Sequence, residues 1–449
     1  MKFLTALKNA KNDKKNIVIP DIKVYSPKEG DLMHGRSPVE YAKILQAAGA
    51  PVISVVTEEK EFHGSLAMLR AIADAVELPI LRKDFIHTKE DLIATKEAGA
   101  DAILLMCSCL ERDELIMLYH EALELGLDPF VETHVKEDFE LVNELGAELV
   151  GINNRDILVL ERDDGDVSNT LSLASLAPKN AFLVTESSIK NPAQVRAAIS
   201  AGADAALVGT AILNAKYTDA FYKMLCRKVS LKICGLMNEQ DIETCVRLGV
   251  ERIGMVVEYP LSVPWNLSVD RAAELRKHIP EGYQACFVTG GTTEEIMKRC
   301  DTVKPDLIQI HYKENLDETA EIARLCKERG IAVIKTVPLS EEGCLEQFGC
   351  SDITEALSML ARTDIEEILV DPRQGSVVAS KKLKLDVSLA SKVIAASAKK
   401  VVVAGGITAD NLGDILAATG CEAVDIMNGS EDAPGHKNEE IIKKILELL

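Results

Sequence analysis

The chain has 449 residues, a length that fits about three domains of ~150 residues or two α/β barrels of ~200–250 residues. Hydrophobic residues make up 47% and charged residues 27%, as in folded soluble proteins, and no apolar run reaches the ~18–20 residues of a membrane span. A formal net charge of −20 argues against a broad cationic face for nucleic acid or acidic lipid, so an anionic ligand needs a local site.

The N-terminal segment and the cysteines predict a cytoplasmic protein. The segment MKFLTALKNAKNDKKN interrupts its apolar positions with lysines and lacks the hydrophobic core of about 7–15 residues that a signal peptide needs. The eleven cysteines are an odd number without CxxC or Cys/His spacing, which favours reduced thiols.

Apolar runs of strand length alternate with helical stretches along the first half of the chain. The runs are NIVIPDIKV, PVISVV, LPILRKDF, DAILLM, DPFVETH, LVGINNRD, AFLVTES and AALVGTAI. The stretches between them, such as SLAMLRAIADAVE and DELIMLYHEALELG, have the apolar spacing of amphipathic helices. Eight such repeats with right-handed crossovers predict eight parallel strands closed into a barrel.

A second series follows beyond residue 230. Its runs are LKICG, RIGMVVEYP, YQACFVT, LIQIHYK, AVIKTVP, EILVDPR, VVVAGG and AVDIMNG. Phrases such as AGADAILLM and LGVERIGMV recur in both halves, where a glycine ends a helix and an apolar run enters the sheet. We therefore predict an α/β fold of two consecutive (β/α)8 TIM barrels, residues 1–226 and 227–449, with the boundary in FYKMLCRKVS.

Polar residues that directly follow the apolar runs are the candidate site residues, because the loops after barrel strands converge on one face. In the first half they are Asp21, Lys23, Lys83, Asp84, Glu132, Asn153, Arg155, Glu186, Ser187, Gly209 and Thr210. Any one charged residue alone is better explained by a salt bridge at the rim. Four charged residues at one rim, Lys23, Lys83, Glu132 and Arg155, favour an active site.

The first half resembles the indole-3-glycerol-phosphate synthase family. The matching pieces are DIKVYSPKEG, SVVTE with FHGS, LPILRKDF, FVETH, GINNRD, TESSI and LVGTAIL, between about residues 17 and 215. This family closes the pyrrole ring of a carboxyphenylamino-deoxyribulose phosphate, with loss of carbon dioxide and then water. The resemblance therefore implies a decarboxylating cyclase that acts on a phosphosugar.

The resemblance also implies a role for each candidate. Lys83 corresponds to the general acid that protonates the substrate carbonyl, Glu132 to its carboxylate partner, and Lys23 to a second lysine that reaches toward the phosphate and the departing hydroxyl. The implied substrate contacts are Ser26, Phe85, Asn153, Arg155, Glu186 and Ser187, and the implied phosphate contacts are Ser188, Gly209 and Thr210.

Two residues of the first half depart from the family pattern. Asp21 stands where the family has a proton-transferring glutamate, so its carboxylate reaches about 1 Å less far. Ser188 stands where the family's phosphate turn has glycine, the residue that most readily adopts a left-handed backbone. These changes bear on rate or substrate and not on the predicted fold.

The second half resembles the phosphoribosylanthranilate isomerase family. The matching pieces are KICGLMNEQD, IQIH, VIK, LVD, VVAGGITADN and DIMNGSEDAPGHK, within residues 231 to 440. Cys234 alone indicates a buried structural thiol, but by the resemblance it is the general base, and Asp371 the general acid, of an Amadori rearrangement. The implied phosphate cradle consists of Gly405, Gly406, Asn428 and Gly429, whose glycines alone indicate only tight turns.

The recognition loop of the second half departs from that family. The family clamps the anthranilate carboxylate with the arginine of a Ser-Pro-Arg loop, whereas this chain has YPLSVPWNLS, which contains Trp265. Arg373, two residues after Asp371, is the nearest replacement cation. Trp265 is a candidate for stacking on the aryl ring.

The order of the two halves is similar to that of fused bifunctional enzymes of tryptophan biosynthesis. The principal hypothesis is that the second barrel isomerises N-(5-phosphoribosyl)anthranilate and the first converts the product to indole-3-glycerol phosphate. Two alternatives stay open: a fused paralogue that uses a different phosphoribosyl amine, and a non-catalytic scaffold that binds phosphometabolites. The expected ligands are small phosphosugars, with no metal, cofactor, nucleic acid or membrane, and a monomer is compatible with the sequence.

Overall fold

Parallel strands and helices alternate along both halves of the chain in the computed structural model, which describes residues 2–11, 14–155, 166–339, 341–350, 352–372 and 385–449. The chain divides into two units, Met1–Lys228 and Val229–Leu449. Each unit contains one closed barrel of eight parallel strands, so the predicted pair of (β/α)8 barrels is confirmed. Within the described ranges, no helix has both the length and the apolar character needed to cross a membrane.

The strands of the first barrel follow one another around its wall in chain order. They are β1 (Ile17–Ile22), β4 (Ile53–Val56), β5 (Ile80–Lys83), β6 (Ala102–Met106), β7 (Asp128–Thr133), β8 (Leu149–Asn153), β9 (Phe182–Glu186) and β10 (Ala205–Val208). Strand β1 pairs with both β4 and β10, which closes the wall. A short antiparallel hairpin, β2 (Tyr25–Ser26) with β3 (Gly30–Asp31), leaves the carboxyl end of β1.

The helices of the first unit lie between these strands. They are α1 (Lys2–Ala10), α2 (Pro38–Ala48), α3 (Leu66–Ala73), α4 (Lys89–Ala98), α5 (Arg112–Glu124), α6 (Asp138–Leu145), α7 (Ser168–Leu173), α8 (Pro192–Ser200), α9 (Thr210–Leu213) and α10 (Thr218–Leu225). As the recurring phrase predicts, α2, α4 and α6 end at left-handed glycines, Gly49 (φ 97°), Gly99 (φ 94°) and Gly146 (φ 60°).

Apolar side chains fill the interior of the first barrel, and α1 covers this interior at one end. Its buried side chains include Ile19, Leu81, Phe130, Val184 and Leu207, and α1 adds Phe3, Leu4 and Leu7 to the same cluster. Asp128 Oδ2, at the start of β7, accepts hydrogen bonds from the backbone N–H groups of Phe3 (2.9 Å) and Leu4 (3.2 Å). Helix α1 therefore covers the amino-terminal end of the barrel.

The second barrel repeats this arrangement. Its wall consists of β11 (Ser230–Ile233), β12 (Arg252–Val257), β14 (Gln284–Thr289), β15 (Leu307–Ile310), β16 (Ala332–Val337), β17 (Glu367–Val370), β18 (Lys400–Ala404) and β19 (Ala423–Ile426). Strand β11 pairs with both β12 and β19, and the short β13 (Asn266–Leu267) adds to the end of β12. A hairpin of β20 (Glu431–Ala433) and β21 (His436–Lys437) follows the last wall strand.

The helices of the second unit surround this wall. They are α11 (Glu239–Leu248), α12 (Val269–Arg276), α13 (Thr293–Val303), α14 (Leu316–Lys327), α15 (Glu341–Phe348), α16 (Ile353–Leu360), α17 (Val387–Ala396), α18 (Leu412–Thr419) and α19 (Glu439–Glu447). The interior cluster contains Cys286, Leu307, Ile334, Leu369, Val402, Ala404 and Ala423. At the amino-terminal end, Arg252 forms two hydrogen bonds with Glu367 (2.6 and 2.8 Å), and this buried ion pair joins β12 to β17 across the interior.

Candidate active sites

The carboxyl end of the first barrel brings three charged side chains together. Interior apolar residues on β5, β7 and β9 are each followed, two positions later, by Lys83, Glu132 and Glu186. Because side chains alternate along a strand, these three residues also point into the interior. The predicted site residues on three separate strands are therefore neighbours in space.

Lys83 forms an ion pair with Glu186, with 2.5 Å between Nζ and Oε2. Burial alone would lower the pKa of Lys83, but the charges of Glu186, Asp21 and Glu132 outweigh this effect and hold the pKa above its ordinary value. The lysine is thus an ammonium group at neutral pH, the form that a general acid requires. Its direct partner is Glu186, whereas Glu132, which the sequence suggests as the partner, acts on the lysine through its charge.

The surroundings of Glu132 favour the protonated form of its carboxyl group. Burial, together with the charge of Glu186, raises the pKa of Glu132 to about 8, although Lys83 and a hydrogen bond from Asn153 Nδ2 to Oε1 (3.0 Å) oppose the shift. No group in the described part of the chain donates to Glu132 Oε2 or Glu186 Oε1, both of which are buried.

Asp21 and Lys23 lie on the first strand and its loop. Asp21 is buried, and its Oδ1 accepts a hydrogen bond from Ser54 Oγ on the neighbouring strand β4 (2.6 Å). The charge of Asp21 contributes to the raised pKa of Lys83, so the shorter carboxylate still acts on the lysine. Lys23 is buried, with Nζ 5.9 Å from the centre of the Phe62 ring.

A glycine makes room for this cluster. A Cβ atom at Gly151, on β8, would lie 2.5 Å from Oε1 of Glu186 and 2.7 Å from Cζ of Phe130. A real Cβ atom essentially never comes this close to another heavy atom, so any residue larger than glycine would displace the carboxylate. The sequence analysis did not single out Gly151, because a glycine in an apolar strand gives no sign of what lies opposite to it.

The turn after β9 contains two left-handed serines, Ser187 (φ 66°) and Ser188 (φ 61°). Asn154 Nδ2 stabilises the turn by donating to the backbone oxygens of Glu186 (2.8 Å) and Ser187 (3.3 Å). Arg155 Nε donates to Ser188 Oγ (2.9 Å). This hydrogen bond links Arg155, a predicted substrate contact, to the predicted phosphate-binding turn. Serine therefore occupies the family's glycine position, and side-chain hydrogen bonds hold the strained backbone.

The remaining candidate residues of the first half lie at the same end of the barrel. Ser26 is buried in β2, and Phe85 packs against the interior cluster. Gly209 directly follows β10, and Thr210 begins α9. Because β9 and β10 are neighbours in the wall, the turn at Ser188 and the turn at Gly209 lie side by side.

In the second barrel, the two predicted proton-transfer residues follow strands β11 and β17. Cys234 is buried and packs against Val256, Trp265 and Val288. Asp371 is also buried and comes two residues after Leu369, which belongs to the interior cluster. Both residues therefore lie at the carboxyl end of the barrel.

Trp265 forms part of the wall around Cys234. Its indole Nε1 donates to Glu431 Oε1 (3.0 Å), and the same oxygen accepts a hydrogen bond from Lys437 Nζ (2.6 Å). Glu431 and Lys437 belong to the hairpin β20–β21, so this hairpin fixes the indole ring. Arg373, the other predicted aryl contact, lies outside the described residues.

The predicted phosphate cradle of the second barrel contains glycines that no other residue fits. Gly405 (φ 96°) and Gly406 (φ 68°) are both left-handed, and a Cβ at Gly405 would lie 2.1 Å from Cδ of Pro372. A Cβ at Gly429 would lie 1.9 Å from the backbone oxygen of Ile407. Gly429 and Asn428 form a short 3-10 turn after β19, beside the turn after β18.

No group of three or more His, Cys, Asp or Glu side chains in the described ranges is arranged to hold a metal ion. Sequence reasoning missed Ser54 and Asn154, which hold Asp21 and the serine turn. Asn154 stands beside Asn153 in INNRD, directly after the apolar run of β8, and this position was the signal available in the sequence.

Comparison with known proteins matches two family models to the chain. "Indole-3-glycerol phosphate synthase" matches residues 1–225, and "N-(5'phosphoribosyl)anthranilate (PRA) isomerase" matches residues 231–448. The indole-3-glycerol phosphate synthase of Thermococcus kodakarensis is 44% identical over 211 residues, which are 47% of this chain and 92% of that protein. Its counterpart from Pyrococcus abyssi is 43% identical over 220 residues, 49% of this chain and 94% of that protein. The multifunctional tryptophan biosynthesis protein of Schizosaccharomyces pombe is 28% identical over 479 residues, 96% of this chain and 59% of that protein.

Proposed function

We propose that the two barrels catalyse two successive reactions. The chain belongs to the indole-3-glycerol phosphate synthase family over residues 1–225 and to the phosphoribosylanthranilate isomerase family over residues 231–448. The chain is a bifunctional enzyme of tryptophan biosynthesis. The second barrel rearranges N-(5-phosphoribosyl)anthranilate to a carboxyphenylamino-deoxyribulose phosphate. The first barrel converts that ketose to indole-3-glycerol phosphate, carbon dioxide and water.

In the first barrel, Lys83 donates the proton for ring closure. The aryl carbon attacks the ketose carbonyl, and an ammonium group at the carbonyl oxygen neutralises the alkoxide as it forms. The ion pair of Lys83 with Glu186, beside the charge of Asp21, is the observation that carries this assignment, because it fixes a partly buried proton donor at the carboxyl end of the barrel. Carbon dioxide then leaves the ring carbon that formed the new bond, which restores the aromaticity of the ring.

Loss of water requires one proton for the departing hydroxyl and removal of another from the neighbouring carbon. Lys23, buried beside the Phe62 ring, supplies the first proton. Glu132 accepts the second, because a carboxylate with a raised pKa is a stronger base once it is ionised. The adjacent turns at Ser188 and at Gly209 with Thr210 hold the substrate phosphate through backbone N–H groups.

In the second barrel, Asp371 protonates the ribose ring oxygen, which opens the ring to a Schiff base. Cys234 then removes the proton from C2 to give the enolamine, which becomes the ketose when a proton returns to C1. The burial of both residues at the carboxyl end of one barrel supports these roles. Gly405, Gly406 and Gly429 bring backbone close to the phosphate, where a Cβ atom has no room at two of the three positions.

One observation favours a second candidate substrate for the isomerase. Trp265 occupies the loop in which the family carries its carboxylate-binding arginine, and its ring packs near Cys234. An aryl ring stacks on an indole with or without a carboxylate. A phosphoribosyl amine that lacks the carboxylate is therefore the alternative.

The test is to supply the purified chain with N-(5-phosphoribosyl)anthranilate and to follow the fluorescence of indole-3-glycerol phosphate. N-(5-phosphoribosyl)aniline, which lacks the carboxylate, serves as the comparison substrate for the isomerase step alone. We expect a higher kcat/KM for the anthranilate compound. Faster turnover of the aniline compound would replace the proposed substrate with the alternative, and phosphate-ester binding without turnover of either would indicate a scaffold.

A further inference from the structure

A buried lysine lies next to Cys234 in the interior of the second barrel. Lys232 is 1% exposed and precedes Cys234 by two positions, so both side chains leave the chain on the same face. A Cβ atom built on Gly254, in the neighbouring strand β12, would lie 2.9 Å from Lys232 Cε and 3.0 Å from Cys234 Sγ. The two side chains therefore border the same point, and the absence of a side chain at Gly254 keeps them adjacent.

Lys232 is fixed by two hydrogen bonds. Its Nζ donates to Asp425 Oδ2 (2.8 Å) and to Gln309 Oε1 (2.5 Å), and Gln309 Nε2 lies 3.0 Å from His311 Nδ1. Asp425 Oδ1 is buried and has no hydrogen-bond partner among the described residues. A buried ion pair of this kind is weak evidence for a role in stability, because apolar residues of similar size are often as stable. Its position beside Cys234 points to the reaction instead.

The titratable groups whose charges act on Lys232 at this point are Cys234, Cys286 on β14 and Asp425 on β19. His311, after β15, is linked to Lys232 through Gln309, and Asp371 follows β17 at the same end of the barrel. Burial alone would lower the pKa of Lys232, but Asp425, Cys234 and Cys286 raise it above its ordinary value. The lysine therefore keeps its positive charge throughout the neutral range.

We propose that Lys232 is a positioning residue of the isomerase, whose buried ammonium group, held by Asp425 and Gln309, stabilises the thiolate of Cys234. The proposal rests on the role of Cys234 as the base. Val256, Trp265 and Val288 pack around the sulfur, and such apolar neighbours disfavour a thiolate. A base at this place therefore needs a fixed cation, and Lys232 borders the sulfur from the strand that carries it.

The experiment measures the pH dependence of Cys234 alkylation by iodoacetamide in the full chain, with peptide fragmentation to assign the modified cysteine. We expect Lys232→Met to move the alkylation midpoint up by about one pH unit or more, which slows alkylation at pH 7 about tenfold. Lys232→Arg retains the charge and should stay within about threefold of the wild-type rate. Asp425→Asn leaves the lysine charge uncompensated and should move the midpoint down.

The opposite shifts separate an electrostatic role from a structural one, because general damage to the barrel would change both variants in the same direction. If Lys232→Met does not fold, the double variant Lys232→Met/Asp425→Leu removes both charges and should also raise the midpoint. An unchanged midpoint in the folded lysine variant overturns the proposal. Isomerase activity that survives Cys234→Ser would instead remove Cys234 as the base, while the alkylation shifts would still measure the effect of Lys232.

Discussion

Gly151 and the carboxylates around it illustrate how single residues determine the chemistry of the first barrel. Lys83, Glu132 and Glu186 come from three strands. The charges of the two glutamates, together with that of Asp21, raise the pKa of Lys83 above its ordinary value. Glu186 fits into the interior only because Gly151 leaves space next to its Oε1. A residue without a side chain therefore contributes to the position of the proton donor.

Gly151→Ala should lower synthase kcat/KM by about 100-fold, since a displacement of about 1 Å at a catalytic group costs roughly that factor. The new Cβ would meet Glu186 Oε1 and Phe130 Cζ, so Glu186 and its partner Lys83 must both move. Steady-state kinetics on the ketose substrate measure the effect. Gly413→Ala, on α18, is the matched control, because no atom lies within 4 Å of its Cβ position. A normal synthase rate in Gly151→Ala would show that Glu186 does not position Lys83.

Glu132 should make the stability of the first barrel depend on pH. Its pKa rises from an ordinary 4.5 to about 8 on folding, so between these values the folded barrel holds a proton that the unfolded chain has released. The free energy of unfolding therefore falls as pH rises through this window. We expect Glu132→Gln, which keeps the shape without the ionisation, to weaken this fall in urea unfolding between about pH 5.5 and pH 8. Identical pH profiles for both proteins would place the proton elsewhere.

The sequence identifies most residues of this cluster but not their pairing. Lys83, Glu132 and Glu186 each follow an apolar run and are predictable as rim residues. The ion pair of Lys83 with Glu186 joins β5 to β9, and these strands are not neighbours in the wall. Which side chains meet across a barrel depends on its diameter and stagger, and neither is encoded in the spacing along one strand.

Among the elements, the turn between β9 and α8 is held by side chains that lie outside it. Ser187 and Ser188 are both left-handed, a backbone conformation that is unfavourable for serine. Asn154 offsets this strain from the end of β8, since its Nδ2 donates to the turn and its Oδ1 accepts hydrogen bonds from the N–H and the hydroxyl of Thr170 (both 2.9 Å). One amide thus joins the turn to α7.

Asn154→Ala should reduce the free energy of unfolding of the first barrel by about 2–4 kcal/mol, because several buried groups lose their hydrogen-bond partners. The synthase should lose phosphate affinity at the same time, visible as a raised KM. Chemical denaturation and initial rates measure the two effects. Asn143→Ala is the control, since Asn143 is exposed and its Nδ2 donates to Phe139 O within α6. Equal losses in both variants would contradict the role given to Asn154.

The elements themselves were largely predictable from the sequence. The wall strands coincide with the apolar runs, and α2, α4 and α6 end at the expected glycines. The short pairings β2–β3, β12–β13 and β20–β21 were not predicted, because strands of two or three residues are too short to show an alternating pattern. One of these hairpins fixes Trp265, so the position of the indole also escaped prediction.

For the whole molecule, the two units with their own interior clusters imply two independent catalysts. The apolar cluster around Phe130 consists of residues of the first unit, and the cluster around Leu369 consists of residues of the second. A defect in one site should therefore leave the other active. The intermediate ketose phosphate is the only chemical link that the two reactions require.

Lys83→Ala and Cys234→Ser should complement each other in solution. Lys83→Ala should form the ketose but no indole, and Cys234→Ser should close the ring of added ketose but form none from phosphoribosylanthranilate. An equimolar mixture should restore indole-3-glycerol-phosphate fluorescence, because each chain supplies what the other lacks. A mixture that stays inactive while each variant keeps its remaining activity would show that the intermediate does not pass between chains.

Helix α1 gives the chain an unusual order of assembly during translation. At nine residues it is too short to be stable alone, and the cluster that receives Phe3, Leu4 and Leu7 includes Leu207 on the last strand of the barrel. At about 5–20 residues per second, a ribosome needs roughly 10–40 s to proceed from one to the other. Among the helices of this unit α1 is made first, yet its site is complete only after β10 has been made. Until then its apolar face is available to chaperones, and hydrogen-exchange pulse labelling should find the N–H of Leu4 protected later than those of β7.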